Sequence, residues 1–229
     1  MVLLARGLVG AVAVTASVTA YLRVYRPQQL RWGATDAEVA RALPGDDLVV
    51  SPSFNATRAI TIGAPPQKVW PWLVQVGVNR AGWYSYDLLD NLGRSSARAV
   101  IDELQDVQPG DLLPMSPDGK HGIRVHALDP PHWMIWGTPG DTSWVWILDP
   151  KPDGTTRLIT RVRSKAQRRP SSLVFAALLE FADFPMMRRM LLNLRTRIET
   201  AAATEPAVGG PQRPVERHLA KQDSTIGDA

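Results

Sequence analysis

The stretch ATRAITIGAPPQKVWPWLVQVG, residues 56–77, changes its hydrophobic period midway and predicts a strand that leads directly into a helix. Residues 56–62 alternate between apolar and polar side chains, which is typical of a half-buried strand. The prolines at 65 and 66 suit a first helical turn, and apolar residues then recur at helical spacing until Gly77. Pro71 removes a backbone hydrogen bond inside this helix, so a bend is expected there.

The chain that follows predicts an antiparallel sheet and a closing helix. Between residues 110 and 166, five apolar segments are separated by clusters of Pro, Gly and Asp, which is typical of strands joined by short turns. Alternation places Trp144, Trp146 and Leu148 on one strand face, and it places Trp133 and Trp136 on opposite faces of the strand before. A helical region is expected from residue 171 to about 201, with a kink or break at Pro185.

The two ends of the chain differ in composition from this central part. Residues 7–22 carry no charge, so residues 1–24 are predicted to be a transmembrane anchor, with a cleaved signal segment as the alternative. More arginines follow this segment than precede it, which favours a membrane protein whose remaining domain is cytoplasmic; signal cleavage would instead give an exported one. Residues 25–53 are interpreted as a connector with one short helix, capped by Thr35 and Glu38. Residues 202–229 are interpreted as a disordered tail.

Composition and motifs exclude several classes of site. The chain of 229 residues has no cysteine, which excludes disulfides, thiolate metal sites and a cysteine nucleophile. The net charge is +4, but the basic residues are not accompanied by a recognition motif or by interleaved aromatic residues, as in nucleic-acid-binding proteins. No nucleic acid is therefore expected as a partner. The four histidines have no spacing that demands a metal, and neither a metal nor a cofactor is predicted.

Three sequence patterns resemble one family. They are the strand-to-helix stretch extended to ITIGAPPQKVWPWLVQVGVNRAGWYSYDLLDN, the later IDELQDVQPGDLLP, and the pattern W-x-W-x-L-x-P followed by G-x-T-R-L-x-x-R-x-R in residues 144–163. Together they resemble the SRPBCC, or START-like, polyketide cyclase/dehydrase and lipid-transport group, in particular a membrane-anchored subgroup. The resemblance implies an α+β helix-grip fold over residues 54–201. In that fold a curved antiparallel sheet wraps around a long carboxyl-terminal helix, with a hydrophobic cavity between them.

The aromatic and polar segment from residue 80 to 91 contains most of the candidate site residues. Arg80 and Asp87 are the best candidates for an acid–base pair, because a cyclase needs only a dry cavity, one titrating group and a donor. The alternative is that Arg80, Asp87 and Asn91 form a hydrogen-bonded brace for an irregular segment. The predicted ligand contacts are Trp83, Tyr84, Tyr86, Asp87, Asn91, Trp133, Trp144 and Trp146.

Three functions are compatible with these patterns. The favoured one is binding, and possibly transport, of a hydrophobic small molecule or lipid in an internal cavity of a membrane-tethered domain. The alternatives are a cyclase or dehydratase that uses Asp87 and Arg80 on a polyketide-like substrate, and a ligand-free membrane accessory protein. Four basic residues are candidates for contact with anionic lipid headgroups, or for an ordinary solvated face: Arg161, Arg163, Arg168 and Arg169.

Overall fold

The computed structural model describes residues 15–165 and 170–204, with side chains described from residue 180 onward in the second range. A six-stranded antiparallel sheet lies at its centre, in the order β1-β6-β5-β4-β3-β2. The strands are β1 (Phe54–Ile62), β2 (Leu112–Pro114), β3 (Gly122–Asp129), β4 (Trp133–Thr138), β5 (Thr142–Pro150) and β6 (Thr156–Ser164). All five strands predicted downstream of β1 are present. They were predictable because turn residues separate them clearly in the sequence.

A short 3-10 turn (Asp102–Leu104) and five longer helical segments accompany the sheet. They are α1 (residues 15–30, π-helical over Tyr21–Tyr25), α2 (Asp36–Ala40), α3 (Pro66–Val74), α4 (Asp87–Asp90) and α5 (Pro170–Thr204). The capping box predicted for α2 is present, since Thr35 and Glu38 accept each other's backbone N–H. Pro66 begins α3 as predicted. Pro185 does not split α5, which continues as one helix through residue 204 and includes the first three residues of the predicted tail.

The sheet has two differently covered faces. The inner face packs on α5 and α3 in one continuous apolar core. From α5 this core receives the stripe Met187, Met190, Leu191, Leu194 and Ile198. The pattern of a long carboxyl-terminal helix packed on an antiparallel sheet is helix-grip-like, and the α+β prediction is confirmed.

The outer face is covered by residues 31–50 of the connector. Leu43 and Leu48 of the connector pack with Ile135, Val145 and Ile147 in a second, smaller core. A sheet face that reads as solvent-exposed from alternation alone is therefore largely buried.

Arginines of β6 fasten this connector to the sheet. Arg161 is only 3% exposed and donates to the Asp46 carboxylate, the Thr57 hydroxyl and the backbone carbonyls of residues 38, 39 and 41. Arg157 pairs with Glu38 and, together with the Thr35 backbone N–H, lowers the pKa of that carboxyl to about 2. Arg163 donates to the Val49 carbonyl and pairs with Asp46.

The prediction that Arg161 contacts lipid headgroups is therefore wrong, because the connector covers it. Arg163 is half-buried by the same contacts, so neither arginine presents a free guanidinium. Arg168 and Arg169 lie outside the described residues.

The predicted membrane anchor falls largely outside the described residues as well, since description begins at residue 15. Within residues 15–165 and 170–204, no helix combines the length and apolarity needed to cross a bilayer. The part of the tail from residue 205 onward also lies outside the described residues.

Candidate functional site

Four tryptophans meet on the inner face of the sheet. Trp136 comes from β4, Trp144 and Trp146 come from β5, and Trp83 comes from the segment between α3 and α4. The ring centroids of Trp136 and Trp144 are 4.9 Å apart, and those of Trp144 and Trp146 are 5.3 Å apart. Because indoles are the largest apolar side chains, this group fills the region where the resemblance implied a cavity.

Two of these tryptophans have buried donors without acceptors. Among the residues whose side chains the structure describes, the indole N–H groups of Trp136 and Trp146 have no hydrogen-bond partner, and both side chains are fully buried. Trp144 differs, because its indole N–H donates to the Thr160 hydroxyl at 2.8 Å. An unpaired buried donor typically costs about 1–3 kcal/mol. Each such donor in a native structure requires an explanation.

Trp83 is the member of the group that a loop carries. Its ring stacks on Trp144 at 6.1 Å with an interplanar angle of 11°. It lies between Gly82, whose φ is +79°, and Tyr84, whose φ is +55°. A tyrosine in the left-handed region is uncommon, and that strain persists only where surrounding contacts enforce it.

Tyr84 is held from three sides. Its hydroxyl accepts from Gln75 at 2.6 Å, its N–H donates to Ser96, and its carbonyl accepts from Asn193 of α5. Burial raises the pKa of Tyr84 to about 12, so its hydroxyl stays neutral. Tyr84 therefore anchors the segment that presents Trp83.

Arg80 and Asp87 do not form a pair. Arg80 donates to the carbonyls of Val76, Val74 and Leu104, and burial lowers its pKa. Asp87 accepts from the Ser96 hydroxyl instead. The predicted acid–base pair is therefore not formed in this structure: Arg80 binds backbone carbonyls, and Asp87 binds a side-chain hydroxyl.

Two further candidates also bond locally. Asn91 is buried and donates to the Arg94 carbonyl, while Tyr86 is exposed under the guanidinium of Arg189, 4.6 Å from the ring centroid. The predicted brace thus exists as several separate bonds rather than as one network of Arg80, Asp87 and Asn91.

Trp133 is on the wrong face for a ligand contact inside the domain. It packs with Ile135 and Ile147 under the connector, whereas Trp136 faces inward. Alternation had placed the two residues on opposite faces correctly. The structure places Trp133 on the outer face, and nothing in the local pattern says which of the two faces meets the helix.

Arg58 is a buried charged residue that the sequence reasoning missed. It lies on the inner face of β1, where it pairs with Asp183 of α5 at 2.7 Å and donates to the Gln29 carbonyl at 2.9 Å. One of its amino groups has no hydrogen-bond partner within the described part of the chain. Burial raises the pKa of Asp183 even though Arg58 opposes that shift. The available signal was its position two residues before Ile60, which places both side chains on the same face of the strand.

Two open grooves on the described surface lie away from the tryptophan group. One of about 720 Å³ is lined by Gly63, Arg195 and Glu199, among others, and one of about 200 Å³ lies beside Pro65 and Pro131. Neither includes a residue of the tryptophan group. Within the described ranges, no three His, Cys, Asp or Glu side chains converge as a metal site would require.

Comparisons with known proteins concern the fold alone. No family model and no curated protein matches the sequence. The structure is similar to the Polyketide_cyc-like protein from Corynebacterium glutamicum (15% identity, 67% of this chain and 96% of that chain, TM-score 0.44). It is also similar to a protein from Rhodobacter sphaeroides (20%, 69% and 98%, TM-score 0.42) and one from Mesorhizobium loti (15%, 67% and 100%, TM-score 0.39). No activity is transferred from these proteins.

Proposed function

We propose that this protein binds a hydrophobic small molecule or lipid between α5 and the inner face of the sheet. The observation that carries the proposal is the pair of buried, unpartnered indole N–H groups of Trp136 and Trp146. An apolar ligand with one or more acceptor oxygens would satisfy donors that the protein itself leaves unpaired. Its apolar body would contact the same indole faces that now contact one another.

Entry requires a group that can move aside, and Trp83 meets that requirement. The other three tryptophans are fixed to β4 and β5, whereas Trp83 is attached to the loop before α4. Its nearly parallel stacking on Trp144 is an arrangement that a flat apolar ligand could replace. In the proposed bound state Trp83 swings outward and the ligand stacks in its place.

Two other elements of the proposal come from the sequence. The uncharged run of residues 7–22 supports a membrane tether, and the arginines after it support a domain on the cytoplasmic side. A reporter fused after residue 229 that is active only when exported would contradict this topology. We do not propose a cyclase, because Arg80 and Asp87 bond to separate groups.

A matched pair of substitutions separates ligand binding from packing. We expect Trp146→Phe to weaken binding of 1-anilinonaphthalene-8-sulfonate, a flat apolar probe with acceptor oxygens, by about tenfold, because a hydrogen bond to a charged acceptor contributes about 1.5 kcal/mol or more. Trp144→Phe should leave the affinity within about threefold, since that N–H already donates to Thr160. Fluorescence titration measures both affinities.

The same two variants differ in stability in the opposite sense. Trp144→Phe breaks an existing hydrogen bond, so it should lower the unfolding free energy by about 1 kcal/mol more than Trp146→Phe does. Equal losses of probe affinity in both variants, or no loss in Trp146→Phe, would show that the unpaired N–H does not meet a ligand.

A further inference from the structure

The short helix α4 and the turn after it expose leucines to an unusual degree. Leu88 is 79% exposed, Leu89 is 72% exposed and Leu92 is 55% exposed. These three residues lie within five consecutive positions of residues 85–92, the segment that we call the leucine loop. Single exposed leucines are common on soluble proteins, but three together form an apolar patch that needs an explanation.

The leucine loop has inverted polarity. Its two acidic residues face the protein: both carboxylate oxygens of Asp90 are buried, and Asp87 accepts from Ser96. Burial raises the pKa of Asp90, while the neighbouring Ser85 hydroxyl donates to the Met186 carbonyl. A loop built to face water would expose its carboxylates and bury its leucines.

The loop is fixed to α5 rather than loosely attached. Arg189 donates to the Ser85 carbonyl at 3.1 Å and stacks over Tyr86, and Ser85 donates to Met186 at 3.0 Å. The exposure of the leucines is therefore a property of the folded domain.

A second apolar element joins α5 nearby. Helix α1 is held by the ion pair between Arg26 and Glu180, and it exposes Val18, Leu22 and Val24. Phe181 is 61% exposed. It follows Glu180 directly in α5, eight residues before Arg189.

We propose that the leucine loop, with Phe181, inserts into the interfacial layer of a lipid bilayer. The uncharged run of residues 7–22 leads directly into α1, and α1 and the leucine loop are both attached to α5, at Glu180 and Arg189, about 14 Å apart along the helix. A bilayer that holds the uncharged run therefore lies near the part of α5 that carries the loop. Arg23 and Arg94 are exposed on the same two elements, where they suit anionic headgroups. Apolar groups held at such a surface typically enter the headgroup and acyl boundary by about 5–10 Å.

The absence of cysteine makes a direct test available. The full chain carrying Leu89→Cys has one thiol, which is labelled with the environment-sensitive fluorophore NBD. The protein is reconstituted in vesicles of phosphatidylcholine and phosphatidylglycerol, with or without spin-labelled phosphatidylcholine. We expect a blue-shifted emission and at least a twofold quenching by the spin label.

The matched control is Asp153→Cys, in the exposed β5–β6 turn near the other end of α5. That end lies roughly 25 Å along the helix from residue 183. A protein tethered by its amino terminus alone would leave both labels equally unquenched, which would overturn the proposal.

Two further outcomes are informative. If the emission shift at residue 89 appears without lipid and grows with protein concentration, the surface is an interface between copies and the proposal is wrong. If Leu89→Cys fails to fold, Leu92→Cys gives the same comparison, and quenching there supports insertion as directly. None of these outcomes depends on whether the inner face of the sheet binds a ligand.

Discussion

Replacement of Arg161 by alanine is expected to lower the free energy of unfolding by about 3–5 kcal/mol, because it leaves a buried ion pair without one partner. The guanidinium binds the Asp46 carboxylate and three connector carbonyls while it lies almost fully buried. Without it, those carbonyls lose this donor, and Asp46 keeps only the Leu43 N–H and its ion pair with Arg163. We therefore expect the connector to detach from the outer face before the sheet itself unfolds. Urea unfolding followed by tryptophan fluorescence measures the loss.

The control for this prediction is Arg98→Ala. Arg98 is exposed, and its replacement should change the unfolding free energy by less than about 0.5 kcal/mol. Arg161→Lys keeps the charge but cannot reach every acceptor, so an intermediate loss is expected. If Arg161→Ala were as stable as Arg98→Ala, the hydrogen bonds of Arg161 would not hold the connector on the sheet.

Replacement of Gln75 by methionine is expected to cost about 3 kcal/mol or more, since it leaves several buried polar groups unpaired at about 1–3 kcal/mol each. The Gln75 amide donates to the Tyr84 hydroxyl and the Ala99 carbonyl, and it accepts from the Ile101 N–H at 2.9 Å. Methionine conserves volume, so the loss reports the hydrogen bonds rather than a cavity.

The segment that carries Trp83 should loosen in the same variant. Hydrogen exchange at residues 84 and 101 should accelerate more than exchange in β5, because the Gln75 amide no longer bonds these residues to the end of α3. Gln67→Met, on the exposed face of the same helix, is the matched control and should be nearly neutral. Equal exchange rates in the two variants would contradict the role assigned to Gln75.

Local chemistry made much of this fold predictable from sequence. The period change at residues 62–66, the turn signals between strands and the Thr35 capping box each depend on neighbours in the chain, and each is confirmed. The stripe on α5 also follows from local spacing. These features need no knowledge of what packs against them.

The site was less predictable because its contacts join distant parts of the chain. The connector covers the outer face through contacts between residues more than a hundred positions apart in the sequence. The local pattern around Arg161 therefore predicts an exposed side chain. The choice between Trp133 and Trp136 depends on which sheet face meets α5. The roles of Gln75 and Ser96 depend on the path of an irregular segment, which has no periodic pattern.

The central claim is that an apolar ligand occupies the inner face of the sheet, and native mass spectrometry of the purified full-length protein tests it most directly. We predict a peak heavier than the bare chain by the mass of one apolar molecule. That peak should be strongly reduced in Trp146→Phe and retained in Trp144→Phe. If the protein carries only its own mass, and 1-anilinonaphthalene-8-sulfonate binds neither the wild type nor the variants, the account is contradicted.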